Sequence, residues 1–213
     1  LTVTAILIAQ ATQDAGLVAT AQAWPVTYQE NFDGTARGWD RYAAVDNDYY
    51  RGSVGVTGGV YRFDVSTKQD TVSLVWPDPY NPVGDFYATV DFTITGPADV
   101  AAGLTFYHSS DDQDLAYYVI DSDGNYLTNL IFGSSNISNS GAATGPLSPG
   151  PNQLGLVGLN GHLILLVNDQ IIGTVDSIFN NPNQGDVGIV IYLPQGNEDA
   201  VIDFDNFVIR TPN

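Results

Sequence analysis

The chain has 213 residues, room for one large domain around a single core. With 22 Gly, 11 Pro, almost no Lys and no Ala-, Leu- and Glu-rich windows, it is not a helical bundle, while 44% hydrophobic and 11% aromatic residues suffice for a packed interior. Six basic residues against 24 acidic ones give a net charge of -18, which repels nucleic-acid phosphates and anionic lipid and favours cations or neutral polar ligands as partners.

The absence of cysteine excludes disulfides, thiol catalysis and Cys-type zinc or iron-sulfur sites. Scarce Lys, abundant Asn, Gln, Ser and Thr, and more Tyr than Phe fit an exported protein at the cell surface.

Residues 1–23 differ in character from the rest: LTVTAILIAQATQDAGLVATAQA has no aromatic residue and one charge, Asp14. Its apolar run, Ala5 to Ala9 preceded by Leu1 and Val3, is too short to span a bilayer. Ala21-Gln22-Ala23 has the pattern of a signal-peptidase site, but no basic n-region precedes it, and we expect an ordered arm that ends near Trp24-Pro25. Leu1 to Ile8 are rich in β-branched residues and begin with apolar/polar alternation, as a strand donated to another sheet would. Such an arm would carry Leu1, Val3, Ala5 and Leu7, or the offset Ile6 and Ile8, into an apolar groove of a neighbour. The alternative is an Ala-rich helix over 6–23 interrupted at Gly16, as in a pilin-like stalk; the strand is favoured for residues 1–9.

From residue 24 to 213 the punctuation is that of successive strands. The pattern predicts strands at 59–65, 70–76, 85–95, 102–108, 114–121, 125–132, 152–158, 162–167, 170–176, 186–193 and 200–209. Asp123-Gly124, Asn160-Gly161 and Asn168-Asp169 tolerate the positive φ of tight hairpin turns. Residues 86–95 alternate apolar and polar, so one face is buried and one wet. Strands of this number close into a barrel or stack as two sheets, and we predict an all-β, two-sheet antiparallel jelly-roll sandwich. The stretch 133–151, rich in Ser, Gly and Pro, reads as a long surface loop.

The collinear set NFDGTARGWD (31–40), GGVYRF (58–63), DFYATVDF (85–92), GLTFYHSSDDQDLAYYVIDSDGNY (103–126), HLILLVNDQIIGTV (162–175), GDVGIVI (185–191) and DFDNFVI (203–209) resembles the concanavalin A-like lectin/glucanase jelly roll. It is most similar to the laminin-G-like domains of bacterial extracellular surface proteins and sensor kinases. The resemblance covers about 24–210 and implies two curved sheets whose first strand, near Tyr28–Phe32, pairs with the last. Relatives of this fold include glucanases, lectins and scaffolds, so the fold does not choose the function.

Glycosidases of this fold carry two glutamates on one strand, because hydrolysis needs two carboxyls flanking the bond. Here only Glu30 and Glu198 exist, neither in such a motif, and we expect no enzyme. His108 and His162 read as ordinary strand-end residues. Asp121 to Asn125 lacks the downstream bidentate Glu of a calcium loop and reads as a turn. If the terminal strands pair, Glu30, Asp33, Asp203 and Asp205 crowd together, a set of hard oxygen ligands suited to a structural Ca²⁺. Asn136 heads the chain's one N-x-S/T sequon. Tyr42, Tyr49, Tyr50, Trp76, Tyr80, Tyr107, Tyr117 and Tyr118 are available as sugar-stacking platforms, although Trp39 and Trp76 are expected in the core.

The arm decides the functional expectation. An isolated binding module has no need of an apolar alternating extension, so the sequence points to a non-catalytic structural subunit of an extracellular filament, pilus-like fibre or surface layer that self-assembles through residues 1–23. The alternative is a carbohydrate-binding or adhesin module at the cell surface.

Overall fold

The computed structural model describes residues 3–34, 38–78, 82–109, 114–132, 134–143, 147–176, 185–196 and 199–213, with the side chains of 3–7 excepted. A helix, α1 (Val3–Gln22), comes first. Strands follow: β1 (Val26–Glu30), β2 (Ala43–Asp46), β3 (Tyr50–Thr57), β4 (Val60–Thr67), β5 (Thr71–Val75), β6 (Phe86–Thr95), β7 (Ala101–His108) and β8 (Asp114–Asp121). The remainder are β9 (Asn125–Phe132), β10 (Ser135–Ala142), β11 (Asn152–Leu159), β12 (His162–Val167), β13 (Gln170–Asp176), β14 (Asp186–Leu193) and β15 (Asp199–Arg210).

Two sheets form an all-β antiparallel sandwich. The large sheet runs β13-β12-β11-β6-β15-β4-β3-β2, with β1 also paired to β15, and the small sheet runs β10-β9-β8-β7-β14-β5. The expected closure of the first strand on the last is present: Tyr28 pairs with Ile209 and Glu30 with Phe207. The tight turns have the foreseen backbone, with positive φ at Asn160 and Gly161 and at Asn168 and Asp169. Alternate residues of both sheets meet in the core, where Phe63, Phe92 and Phe204 of the large sheet join Leu104, Phe106, Tyr118, Ile120 and Ile189 of the small one. Trp39 closes one end of it, edge-on to Phe32 and Phe207, its Nε1 donating to the Tyr28 hydroxyl at 2.8 Å.

Three sequence expectations are corrected. Residues 3–9 are helical and form no donor strand, because six alanines between 5 and 21, and no proline before Pro25, favour a helix over the local β-branched preference. Leu1 lies outside the described residues. The helix ends where Trp24 precedes Pro25, since a pre-proline residue avoids the α region. Residues 135–142 form β10, a strand within the expected loop; an edge strand needs few apolar residues, and its backbone pairs fully with β9. The strands β2 and β3 are absent from the sequence reading: β2 is an edge strand with mostly exposed side chains, and β3 beside it holds mostly half-buried ones, of which Val54 and Val56 pack on the core.

The helix lies on the outer face of the large sheet. Val18 and Ala21 are buried against Tyr87, Val157, Ile164 and Leu166, with Leu17, Trp24 and Leu159 packed around them. This cover explains why β12 is apolar on both parities. Between Ile8 and Gln13 the helix side chains are exposed, Ile8 at 63%. Among the described residues no helix is long and apolar enough to cross a membrane.

Candidate functional site on the outer face of the small sheet

Side chains of β5, β7, β8, β9 and β14 with the parity opposite to the core point outward from the small sheet. They are unusually apolar: Ala101, Tyr117, Val119 and Val190 form a buried cluster, flanked by half-buried Val72, Leu74, Leu127 and Tyr192. Val190 is 0% exposed although it faces away from the core, because its neighbours' longer side chains enclose it. Among the described residues all members of this cluster belong to the small sheet itself, whereas the comparable patch on the large sheet is covered by α1.

Polar groups run across the strands beside this patch. The ladder registers align Ser138 of β10 with Asn129, Asn129 with Tyr117, Tyr117 with Thr105, and Thr105 with Gly188. Asn129 donates through Nδ2 to the Tyr117 hydroxyl at 3.1 Å, while its Oδ1 is buried with no hydrogen-bond partner among the described residues. Thr105 is buried and donates to the Ala116 carbonyl at 3.1 Å. At Gly188 a Cβ would collide with the Val75 carbonyl, so the row stays bare there. Just past β5, the half-buried Trp76 stacks on buried His108, ring centroids 3.8 Å apart, and His108 is register partner of buried Asp186. Burial, with Asp70, Asp99 and Tyr117 nearby, raises the Tyr192 phenol above its ordinary range and keeps it neutral. The arrangement joins aromatic surface to neutral hydrogen-bonding groups.

The sequence-derived candidates scatter. Tyr107 and Tyr118 belong to the core, Tyr42 and Tyr49 are exposed, and half-buried Tyr50 meets Ser73 Oγ at 3.2 Å. Tyr80 and Glu198 lie outside the described residues. Trp76, expected in the core, instead stands at the end of the outer row because the chain leaves the sheet after Val75. Tyr117 does reach the outer face. Asn129, Thr105, Tyr192 and Asp186 were missed, although the two-sided apolarity of β8 and β14 is a sequence signal for a second buried face.

The four carboxylates expected to hold calcium do not form a cage. Asp203 is taken by Arg62 in a bidentate pair at 2.7 Å for both bonds, and Glu30 Oε1 accepts the Phe32 N–H at 2.9 Å. Asp33 accepts from Asn31, and Asp205 accepts from the Asn206 N–H at 2.7 Å. Among the described residues no group of three or more His, Asp or Glu side chains converges as metal ligands. Asn136 is exposed on β10, with its sequon serine, Ser138, also exposed. His162, far from an ordinary strand-end residue, bridges two aspartates, Asp14 and Asp176. In the arm, Ile8 sits on the exposed stretch of α1; Val3, Ala5, Ile6 and Leu7 lie in its first turns.

No family model matches the chain, and no curated protein matches it in sequence. Solved structures do. A beta-glucanase of Bacillus licheniformis superposes with a TM-score of 0.62 at 10% identity, over 90% of this chain and 100% of that one. The carbohydrate binding module CBM66 from Bacillus subtilis superposes with a TM-score of 0.50 at 16% identity, over 82% of this chain and 96% of that one. The Emp47p carbohydrate recognition domain gives 0.54 at 10% identity, over 88% and 97%. Strand order, terminal pairing and these superpositions agree: the protein has the concanavalin A-like lectin/glucanase jelly-roll fold.

Proposed function

We propose that the protein is a non-catalytic module that binds a neutral carbohydrate outside the cytoplasm, using the outer face of its small sheet. One observation carries this reading: half-buried Tyr192 and Trp76 offer aromatic surface beside buried Tyr117, on a face whose apolar cluster is made, among the described residues, of small-sheet side chains, next to a row of neutral polar groups. Sugars present apolar C–H faces to aromatic rings and hydroxyls to amides, and a chain of net charge -18 disfavours acidic ligands. Structural neighbours that include a carbohydrate binding module and a carbohydrate recognition domain support it through the fold. Binding without cleavage is supported by Glu30, which belongs to the large sheet and is engaged by a backbone N–H.

Assembly through the arm loses its support, because α1 is helical and its C-terminal half is buried on its own sheet. The test is affinity electrophoresis through gels containing laminarin, cellulose ethers, fructan or, as the acidic control, polygalacturonate. The expected result is retardation by a neutral polysaccharide, abolished in both Tyr117→Ala and Tyr192→Ala. No retardation by any neutral polymer, or retardation undiminished in both variants, overturns the reading.

A further inference from the structure

The attachment of α1 contains a titratable element independent of the carbohydrate reading. His162 opens β12 on the outer face of the large sheet, and its two ring nitrogens meet two different carboxylates. Nδ1 lies 2.6 Å from Asp176 Oδ1 on β13, and Nε2 lies 3.2 Å from Asp14 Oδ1 on α1. Among the described residues these are the ionisable groups paired with the ring, and Gln10 adds a neutral donor to Asp14 Oδ1 at 2.9 Å. Asp176 is mostly exposed, so water can take over its bond. Asp14 is 4% exposed, so it has no such substitute.

A neutral imidazole has one N–H and one lone pair, so it satisfies only one of these carboxylates and turns a lone pair toward the other. The imidazolium donates to both. We propose that His162 is a pH-operated latch for α1: protonated, it fastens the helix to the sheet by a charge-assisted bond to Asp14; deprotonated, it keeps one N–H for two carboxylates and loses the positive charge that offsets the buried Asp14, and residues 14–22 open more readily. Histidine is the side chain that ordinarily changes charge between pH 5 and 8. The latch is closed with the ring protonated and loosened when that proton is lost. Opening uncovers Tyr87, Val157, Ile164 and Leu166, an apolar surface covered by Leu17, Val18 and Ala21 of α1 together with Trp24.

The experiment is hydrogen exchange of the full chain at pH 5.5 and 8.5, corrected for the intrinsic pH dependence of exchange. Amides of residues 14–22 report the helix, and those of β6 and β15 report global opening. The expected result is protection of α1 about tenfold higher at pH 5.5, the scale of one charge-assisted hydrogen bond, with β6 and β15 changing less. In His162→Gln and in Asp14→Asn, the second serving if the first does not fold, that difference disappears. Equal α1 protection at the two pH values in the wild type, or a difference that persists in the variants, overturns the proposal.

Discussion

Replacing Asn129 by leucine should make the protein more stable and a weaker binder. Asn129 Oδ1 is buried with no partner among the described residues, a state that costs about 1–3 kcal/mol, while the bond from its Nδ2 to Tyr117 returns about 0.5–1.5 kcal/mol. Leucine has the same branched outline with the same number of heavy atoms, and it joins Leu127 and Ile131, which share its strand parity. The balance favours the variant by about 1 kcal/mol, or roughly 2–4 °C in melting temperature for a chain of this size. The same change removes the donor that fixes the Tyr117 hydroxyl, so affinity for a bound polysaccharide should fall about three- to tenfold. Thermal denaturation followed by circular dichroism and affinity electrophoresis measure the two effects separately. A lower melting temperature would refute the argument about the unpaired oxygen, and unchanged affinity would refute the positioning of Tyr117.

Ile164, fully buried between α1 and the large sheet, should lose about 2–4 kcal/mol on mutation to alanine, read from urea denaturation; a loss under 1 kcal/mol would mean that α1 contributes little cover. Asp205 has its carboxyl raised above the usual range, chiefly by burial and then by Asp91 and Asp33, with the Asn206 N–H opposing. Its neutral form is favoured in the fold, so the stability it contributes is present at low pH and is lost as pH rises through the raised value. Asp205→Asn should therefore melt higher than wild type at pH 7 and equally at pH 3; the reverse order at pH 7 contradicts this sign. Passed through a eukaryotic secretory pathway, the exposed Asn136 sequon should acquire a glycan, seen as an electrophoretic shift that glycosidase treatment and Ser138→Ala both remove.

Much of the architecture follows from local chemistry that the sequence displays. Alternation along 86–95, the positive-φ turn residues at 160–161 and 168–169, and the short spacing between apolar runs require antiparallel hairpins, and hairpins in that number must bury one face against another sheet. What alternation cannot specify is an element whose side chains meet solvent, which is why β10 and β2 were invisible: their order comes from backbone bonds to a neighbour. The fate of the first twenty residues was likewise undecided locally. Their β-branched start favours a strand and their alanines a helix; the alanines prevail, and where the helix lies is set by a surface assembled from β6, β11 and β12, more than sixty residues away, which holds Val18 and Ala21. The candidate site shows the same division. Tyr117 and Trp76 are legible as aromatic residues, but the row that joins Asn129, Tyr117, Thr105 and Gly188 exists only across four strands in register. Asp14, His162 and Asp176 meet for the same reason: the sequence supplies their charges, and only the docking of helix on sheet brings a buried carboxylate to an imidazole 148 positions away.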